Sequence, residues 1–223
     1  RGSGSIVADN NPQLIVATSP YDKRPVDTPA IMRHVLYALA PATLAAIYYF
    51  GLSALLLVSV CAFTCALTEW LLTGRGHWRD STVKDSSAIV TGVLLGLTLP
   101  PGLPLWMAAV GSVFAIAFGK LLFGGLGQNV FNPSLTGRAF LQAAFPVPLT
   151  TWAPYSNLDG FFSFRGDTLA LPFLRPEVDA LTTATPLALI KFDFVSTDFS
   201  ALLYGATSGS TGETSAVLIL LGG

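Results

Sequence analysis

One short segment of the chain gathers hydroxyl side chains in front of a proline: residues 179–187 read Asp-Ala-Leu-Thr-Thr-Ala-Thr-Pro-Leu. Pro186 biases the backbone of Thr185 toward an extended conformation, so the Thr185 hydroxyl can stand out from the chain and accept a modification. The same pattern is an ordinary helix start, in which Thr182 or Thr183 caps and Pro186 occupies the first turn. Residue types alone favour the helix cap.

The spacing of this segment resembles the covalent flavin-attachment motif of two related membrane redox proteins. These are RnfD, from the Rnf ferredoxin:NAD oxidoreductase, and its counterpart in the sodium-pumping NADH:quinone oxidoreductase, which we call the quinone-reductase form. The matching positions are Asp179, Thr182, Ala184, Thr185, Pro186 and Leu187. Where this chain has Thr182-Thr183, the family usually has Ser-Gly or Ser-Gln.

The resemblance implies that FMN is joined to Thr185 through a phosphoester bond. The remaining members of the implied attachment site are Asp179, Thr182, Thr183, Ala184 and Pro186. Asp179 and the Thr182 hydroxyl would serve recognition by the flavin-transferase that installs FMN. The attached FMN would carry the redox chemistry, while the protein fixes the position of the FMN.

Three other stretches carry the same resemblance. Residues 84–101 and 124–133 are similar to the RnfD pattern, whereas residues 137–141 look more like the quinone-reductase form. The resemblance implies an electron relay coupled to Na+ or H+ transport in a bacterial or archaeal cytoplasmic membrane. It also implies membrane, flavin and iron–sulfur partner subunits, and leaves open a second, non-covalent flavin such as riboflavin.

Composition independently indicates a membrane protein. Of 223 residues, 52% are hydrophobic and only 11% are charged, and the mean hydropathy is +0.60. Soluble domains carry roughly a quarter charged residues, so this chain has too few charges for a water-facing surface. A net charge of -1 provides no basic stripe for nucleic acid, so we expect the lipid bilayer and no nucleic-acid partner.

The apolar runs predict an all-α polytopic membrane protein, the N-terminal half of an inverted-repeat, broken-helix fold whose second copy would lie beyond this sequence. Spanning helices are expected at about residues 33–50, 52–73 and 106–123. Gly92 and Gly96 lie in a shorter apolar run and should pack closely against a neighbour. The predicted division is a polar tail (1–30), a membrane domain (31–149), an extracytoplasmic flavin-bearing segment (150–212) and the start of a further helix (213–223).

The distribution of cations predicts the orientation. The N-terminal residues and the loop 74–87 are rich in Lys and Arg, whereas residues 150–212 are acidic. Under the positive-inside rule, the loop lies in the cytoplasm and residues 150–212 lie outside.

Glu69 and residues 124–133 are the candidates for an ion pathway. Glu69 lies about one turn from the end of an apolar run and is either a snorkelling carboxylate or the point where a cation arrives. Residues 124–133 predict a non-helical break enclosed by other helices, in which Gln128, Asn129 and Asn132 satisfy the freed backbone groups.

Other chemistries find no support in the residues. His34 and His77 lie on the predicted cytoplasmic side, away from the threonines, so we expect no catalytic residues of a hydrolase and no metal site. Cys61 and Cys65 are interpreted as small packing residues. Two function classes remain: a flavin-bearing redox protein within a larger complex, and a non-redox transporter or channel half-domain, which broken helices favour.

Overall fold

The computed structural model of the protein describes residues 27–73, 85–155, 161–172, 183–213 and 215–222. All regular structure within these ranges is helical. Three segments are long and apolar enough to cross a membrane: Thr28–Phe50, Leu52–Leu72 and Leu105–Phe123. The chain is therefore an all-α, multi-pass membrane protein, as predicted, while the inverted repeat and the four-part division stay predictions.

Within the described ranges, five helices build the bundle and four short ones follow. The bundle helices are α1 (Thr28–Phe50), α2 (Leu52–Leu72), α3 (Ser87–Thr98), α4 (Leu105–Ala117) and α5 (Pro133–Ala144). The short helices are α6 (Pro146–Thr150), α7 (Pro186–Ala188), α8 (Phe199–Tyr204) and α9 (Ala216–Gly222). The turn after α7, Leu189–Asp193, is a π-helical turn.

Helices α1 and α2 are separated by a single residue. The chain reverses at Gly51, whose φ is 65°, and a Cβ there would come 2.5 Å from the Phe161 carbonyl oxygen. The boundary between the two helices lies where the expected ranges 33–50 and 52–73 put it, and the positive φ together with the close approach explains why glycine occupies it. Helix α1 begins at Thr28, five residues before the predicted start at Arg33, because Pro29 fits a first turn whose N–H groups are unpaired in any case.

Helix α3 packs against α2 at backbone distance, as its two glycines predict. A Cβ on Gly92 would lie 2.5 Å from the Cα of Ala62, and one on Gly96 would lie 2.9 Å from the Cα of Val58. Around this contact lies a core of buried residues from α2 to α6, including Leu57, Leu95, Leu99, Ala108, Leu141 and Leu149. Close backbone approach through small residues is how membrane helices gain packing energy without a hydrophobic driving force.

Helix α4 stops at Ala117, and α5 begins only at Pro133. Between them the chain forms turns and one 3₁₀ turn, Leu121–Phe123, which confirms the predicted break. The Nδ2 of Asn129 donates to the Phe131 carbonyl at 2.9 Å, and the Oδ1 of Asn132 accepts from the Ser134 N–H at 3.0 Å. Both amide side chains therefore satisfy backbone groups as predicted.

The predicted enclosure of this break is wrong for the described residues. Leu122, Val130 and Phe131 are each more than 60% exposed, and Gln128 is exposed as well. The physical reason is that the neighbouring helices are too short: α2 ends at Leu72 and α3 begins at Ser87, so neither extends alongside residues 121–132.

Candidate functional site

Thr185 is the N-cap of the short helix α7. Its φ and ψ of -74° and 157° are extended, as expected for a residue before proline, and Pro186 opens the first turn. The Thr185 Oγ accepts a hydrogen bond from the Ala188 N–H at 3.3 Å, and within the described part of the chain it donates none. The helix start is therefore present, but its cap is Thr185 rather than Thr182 or Thr183, and the Thr185 hydroxyl turns back over the first turn of α7.

The neighbouring Thr183 has a different role. Its N–H and its hydroxyl both donate to the Trp152 carbonyl, at 2.9 and 3.1 Å. These two hydrogen bonds hold the segment against the chain just after α6, while Ala184 is exposed and Leu187 is 81% exposed. Asp179 and Thr182 lie outside the described residues, so their placement beside Thr185 stays a prediction.

The described parts of residues 150–212 pack over one end of the bundle. The Phe161 carbonyl accepts from the Leu52 N–H at 2.9 Å, and the Arg165 N–H donates to the Ser53 hydroxyl at 2.8 Å. Partial burial lowers the pKa of the Arg165 guanidinium. We name this side, with residues 50–53, 99–105 and 145–153, the Thr185 end.

The opposite side of the bundle, which we name the loop end, contains residues 69–73, 85–88 and 117–120. Residues 74–84 connect two of its helix ends. The Thr185 segment and the helix ends that flank residues 74–84 therefore lie at opposite ends of the bundle. Which end faces the cytoplasm stays a prediction.

A strap of residues 210–213 closes the carboxyl end of α3. The Leu97 carbonyl accepts from the Gly212 N–H at 2.7 Å, and the Leu99 carbonyl accepts from the Thr211 N–H at 3.0 Å and from its hydroxyl at 2.6 Å. Arg138, which sequence reasoning assigned no role, donates to the Thr98 carbonyl at 2.6 Å. A cation is favourable where a helix leaves its last carbonyls unpaired.

An apolar cavity of about 430 Å³ lies beside this strap. It is an open cavity lined by residues of α1, α3, α5 and α9, and its polar lining includes Arg138, Glu213 and Ser210. Its size and its few convergent polar groups are typical of small-molecule sites.

Glu69 lies at the loop end and is fully buried, so the interpretation as a snorkelling carboxylate is wrong. Its Oε1 and Oε2 each accept from the Lys120 Nζ at 2.7 Å, and the same Nζ donates to the Ser87 Oγ at 2.6 Å. The physical reason is that α3 and α4 pack against α2, and Lys120, three residues after the end of α4, supplies a countercharge. The sequence signal that could have indicated this ion pair is the position of Glu69 and Lys120, each near the end of a spanning segment.

The other ion-pathway candidates come after Lys120 in the sequence. Gln128, Asn129 and Asn132 belong to the break between α4 and α5, and the structure does not bring them to Thr185. Among the described residues no group of three metal-ligating side chains is found. Cys61 and Cys65 are buried in the packing of α2, and the Cys65 Sγ donates weakly to the Ser112 carbonyl at 3.8 Å.

Residues 15–223 match the NQR2, RnfD, RnfE family. The D subunit of the Na(+)-translocating ferredoxin:NAD(+) oxidoreductase complex of Acetobacterium woodii is 41% identical over 218 residues, covering 96% of this chain and 62% of that protein. The proton-translocating counterpart of Clostridium ljungdahlii is 35% identical, with 93% and 60% covered. The D subunit of the ion-translocating oxidoreductase complex of Escherichia coli K12 is 38% identical, with 79% and 54% covered. The chain thus spans between 54% and 62% of these relatives.

Proposed function

This chain belongs to the NQR2, RnfD, RnfE family, and on that basis we propose that it is a flavin-carrying membrane subunit of an ion-translocating electron-transfer complex. The proposed complex is of the ferredoxin:NAD oxidoreductase type, with FMN joined to Thr185 by a phosphoester bond. One relative is named for translocating Na+ and another for translocating protons, so both ions are candidates.

The observation that carries the proposal is the state of the Thr185 hydroxyl. Among the described residues the Thr185 oxygen accepts one hydrogen bond, from the Ala188 N–H, and donates none, so the hydroxyl hydrogen is available for replacement. A phosphoester keeps that oxygen in place as an acceptor, so the modification is compatible with the helix cap. Thr183, in contrast, has its hydroxyl hydrogen committed to the Trp152 carbonyl. This difference supports Thr185, rather than Thr183, as the anchor.

The surroundings of Thr185 suit a charged tether. A phosphodiester keeps a negative charge and would be strongly disfavoured in hydrocarbon. Thr185 lies outside the three spanning segments, and the neighbouring Ala184 and Leu187 are exposed. When bound, FMN supplies redox chemistry that side chains lack, and the two bonds from Thr183 to Trp152 hold the anchor at a fixed place on the bundle.

Partners and maturation follow from the same proposal. Other membrane, flavin and iron–sulfur subunits would exchange electrons with this chain, and a flavin-transferase would load it. The bacterial or archaeal cytoplasmic membrane would hold the complex, with Thr185 on the extracytoplasmic side. A second, non-covalent flavin such as riboflavin would find a candidate site in the cavity beside Arg138 and Glu213.

Four variants, expressed with the flavin-transferase, test the anchor. Thr185→Ala should abolish the fluorescent band of the denatured protein under ultraviolet light, whereas Thr183→Ala should keep it. Thr185→Ser should keep part of it because the nucleophilic oxygen survives. Thr185→Asn retains a capping oxygen without a hydroxyl and should therefore lose the band while the helix start is preserved. A band that persists in Thr185→Ala, or an intact mass without FMN in the wild type, refutes the anchor.

Two alternatives are separated by further measurements. The quinone-reductase form is one alternative, which residues 137–141 favour, and electron-donor tests on the assembled complex distinguish it. A non-redox transporter or channel half-domain is the other, which the break between α4 and α5 favours. A colourless wild-type protein without covalent flavin would support the transporter.

A further inference from the structure

The segment that follows α7 carries large apolar side chains that the rest of the protein leaves uncovered. Phe194 is 90% exposed, Phe199 75% and Phe192 71%, and Ile190 and Val195 are exposed as well. Single apolar side chains are normal on a water-facing surface, whereas several close together mark a site that contacts a membrane or another protein. These five side chains, which we name the apolar patch, therefore need a partner that covers them.

Both ends of this segment are attached to the Thr185 end of the bundle. Before the apolar patch, Thr183 donates its two hydrogen bonds to the Trp152 carbonyl. After it, the Tyr49 hydroxyl donates to the Tyr204 carbonyl at 2.6 Å. Tyr49 is the last residue but one of α1. The segment is therefore tied to the level at which the first spanning helix ends.

That level is the boundary of the bilayer. Helix α1 has 23 residues and is about 34 Å long at 1.5 Å per residue. The hydrocarbon core is roughly 30 Å thick, so the last residues of α1 reach the headgroup layer. Tyr48 and Tyr49 near the end of α1, and Trp106 near the start of α4, are the residue types that collect at this interface. The apolar patch thus belongs to a segment beside the membrane surface.

The charged residues of the segment suit the interface rather than the hydrocarbon. Asp193 and Asp198 are exposed, and their charges would be costly inside the bilayer core. The Lys191 Nζ lies 5.3 Å from the centre of the Phe192 ring. A lysine can keep its stem against an apolar ring while its ammonium stays among the headgroups. Apolar side chains with charged neighbours are typical of segments that lie in the plane of the membrane interface.

We propose that residues 190–204 form an interfacial segment whose apolar patch inserts into the lipid headgroup layer at the Thr185 end. The partner is the bilayer that the spanning helices already cross, so this surface continues their contact with lipid. Thr185 lies five residues before Ile190, so the segment also fixes the height of Thr185 at the membrane surface. The proposal depends on the spanning helices and not on a flavin.

The test measures the depth of single nitroxide labels in the full-length protein, purified without partner subunits and placed in phosphatidylcholine nanodiscs. Phe194→Cys and Phe199→Cys carry the label within the apolar patch, and Ser200→Cys, at an exposed polar position of the same segment, is the matched control. Oxygen concentrates in the membrane, whereas a nickel chelate stays in water. We expect the ratio of oxygen to nickel collisions to be several-fold higher at positions 194 and 199 than at position 200. Cys61 and Cys65 are fully buried, and unsubstituted protein taken through the same labelling corrects for them.

A second pair of variants tests whether the aromatic rings hold the segment at the membrane. With the label at position 194, Phe192→Ser/Phe199→Ser should lower the collision ratio to about that of position 200. Phe162→Ser removes an 81% exposed ring outside the segment and should leave the ratio unchanged. A ratio that stays high in the double variant would show that the rings do not anchor the segment, and the proposal would be overturned.

Two further results would overturn the proposal. If the ratio at position 194 or 199 is no higher than at position 200, the apolar patch lies in water; shielding of these labels from both reagents in the assembled complex would then identify it as a surface for a partner protein. If both reagents are excluded in the nanodiscs, protein and not lipid covers the patch. None of these readouts requires FMN, so the fluorescent band of Thr185 reports separately on the proposed function.

Discussion

Substituting Gly92 by alanine tests whether the α2–α3 contact holds the loop end together. The new Cβ would lie 2.5 Å from the Cα of Ala62, 2.6 Å from the Cys61 carbonyl oxygen and 2.7 Å from the Ala62 nitrogen. All three are backbone atoms of α2, so no rotamer change relieves the overlap. Carbon atoms pack best at about 3.5–4.0 Å, so α3 must move by about 1 Å.

Overpacking of this kind costs about 1–3 kcal/mol, and we expect Gly92→Ala to lie in the upper half of that range. The matched control is Gly96→Ala, one turn further along the same face. Its Cβ would meet the Cα of Val58 at 2.9 Å and the Cγ2 of Val58 at 3.2 Å, so it should cost clearly less. The free energy of unfolding would be measured by detergent titration in mixed micelles. A cost for Gly92→Ala equal to or below that for Gly96→Ala would refute the reasoning.

Two further predictions concern the Thr185 end. Gly212→Ala would place a Cβ 2.9 Å from the Cβ of Leu97 and 3.0 Å from the Leu97 carbonyl oxygen. The strap should therefore move away from α3, and hydrogen exchange of the residue 212 amide should accelerate. Unchanged exchange would show that the strap does not depend on the close contact between Gly212 and Leu97. Leu187→Cys, at a position 81% exposed, should react with a membrane-impermeant maleimide from the extracytoplasmic side only, while the fully buried Cys61 and Cys65 give little background. Labelling of position 187 only from the cytoplasmic side would invert the proposed topology.

Local sequence rules predicted those features that depend on near neighbours. The pre-proline position predicted the extended backbone of Thr185, the spacing of Gly92 and Gly96 predicted the close approach of α3, and the glycine-rich run predicted the break after α4. Each follows from the covalent geometry or size of a few consecutive residues, so no long-range information is needed.

Features that depend on packing could not be predicted in this way. Glu69 and Lys120 are 51 residues apart in the sequence. Their pairing depends on how α2, α3 and α4 are rotated relative to one another. The same holds for Arg138 and the Thr98 carbonyl, 40 residues apart. The helix-entry pattern predicts Thr182 or Thr183 as the cap, whereas Thr185 is the N-cap, directly before a proline at N1.

Helix α3 runs between the loop end and the Thr185 end of the bundle. Its twelve residues span about 18 Å at 1.5 Å per residue. Ser87 at its start bonds the Lys120 ammonium, while the carbonyls of Leu97 and Thr98 at its end bond Gly212 and Arg138. A helix shifts along its axis as a rigid body, so a displacement that lengthens the bonds at one end also changes those at the other. Helix α3, which packs against the backbone of α2 at Gly92, therefore connects the Glu69–Lys120 ion pair physically with the strap of residues 210–213.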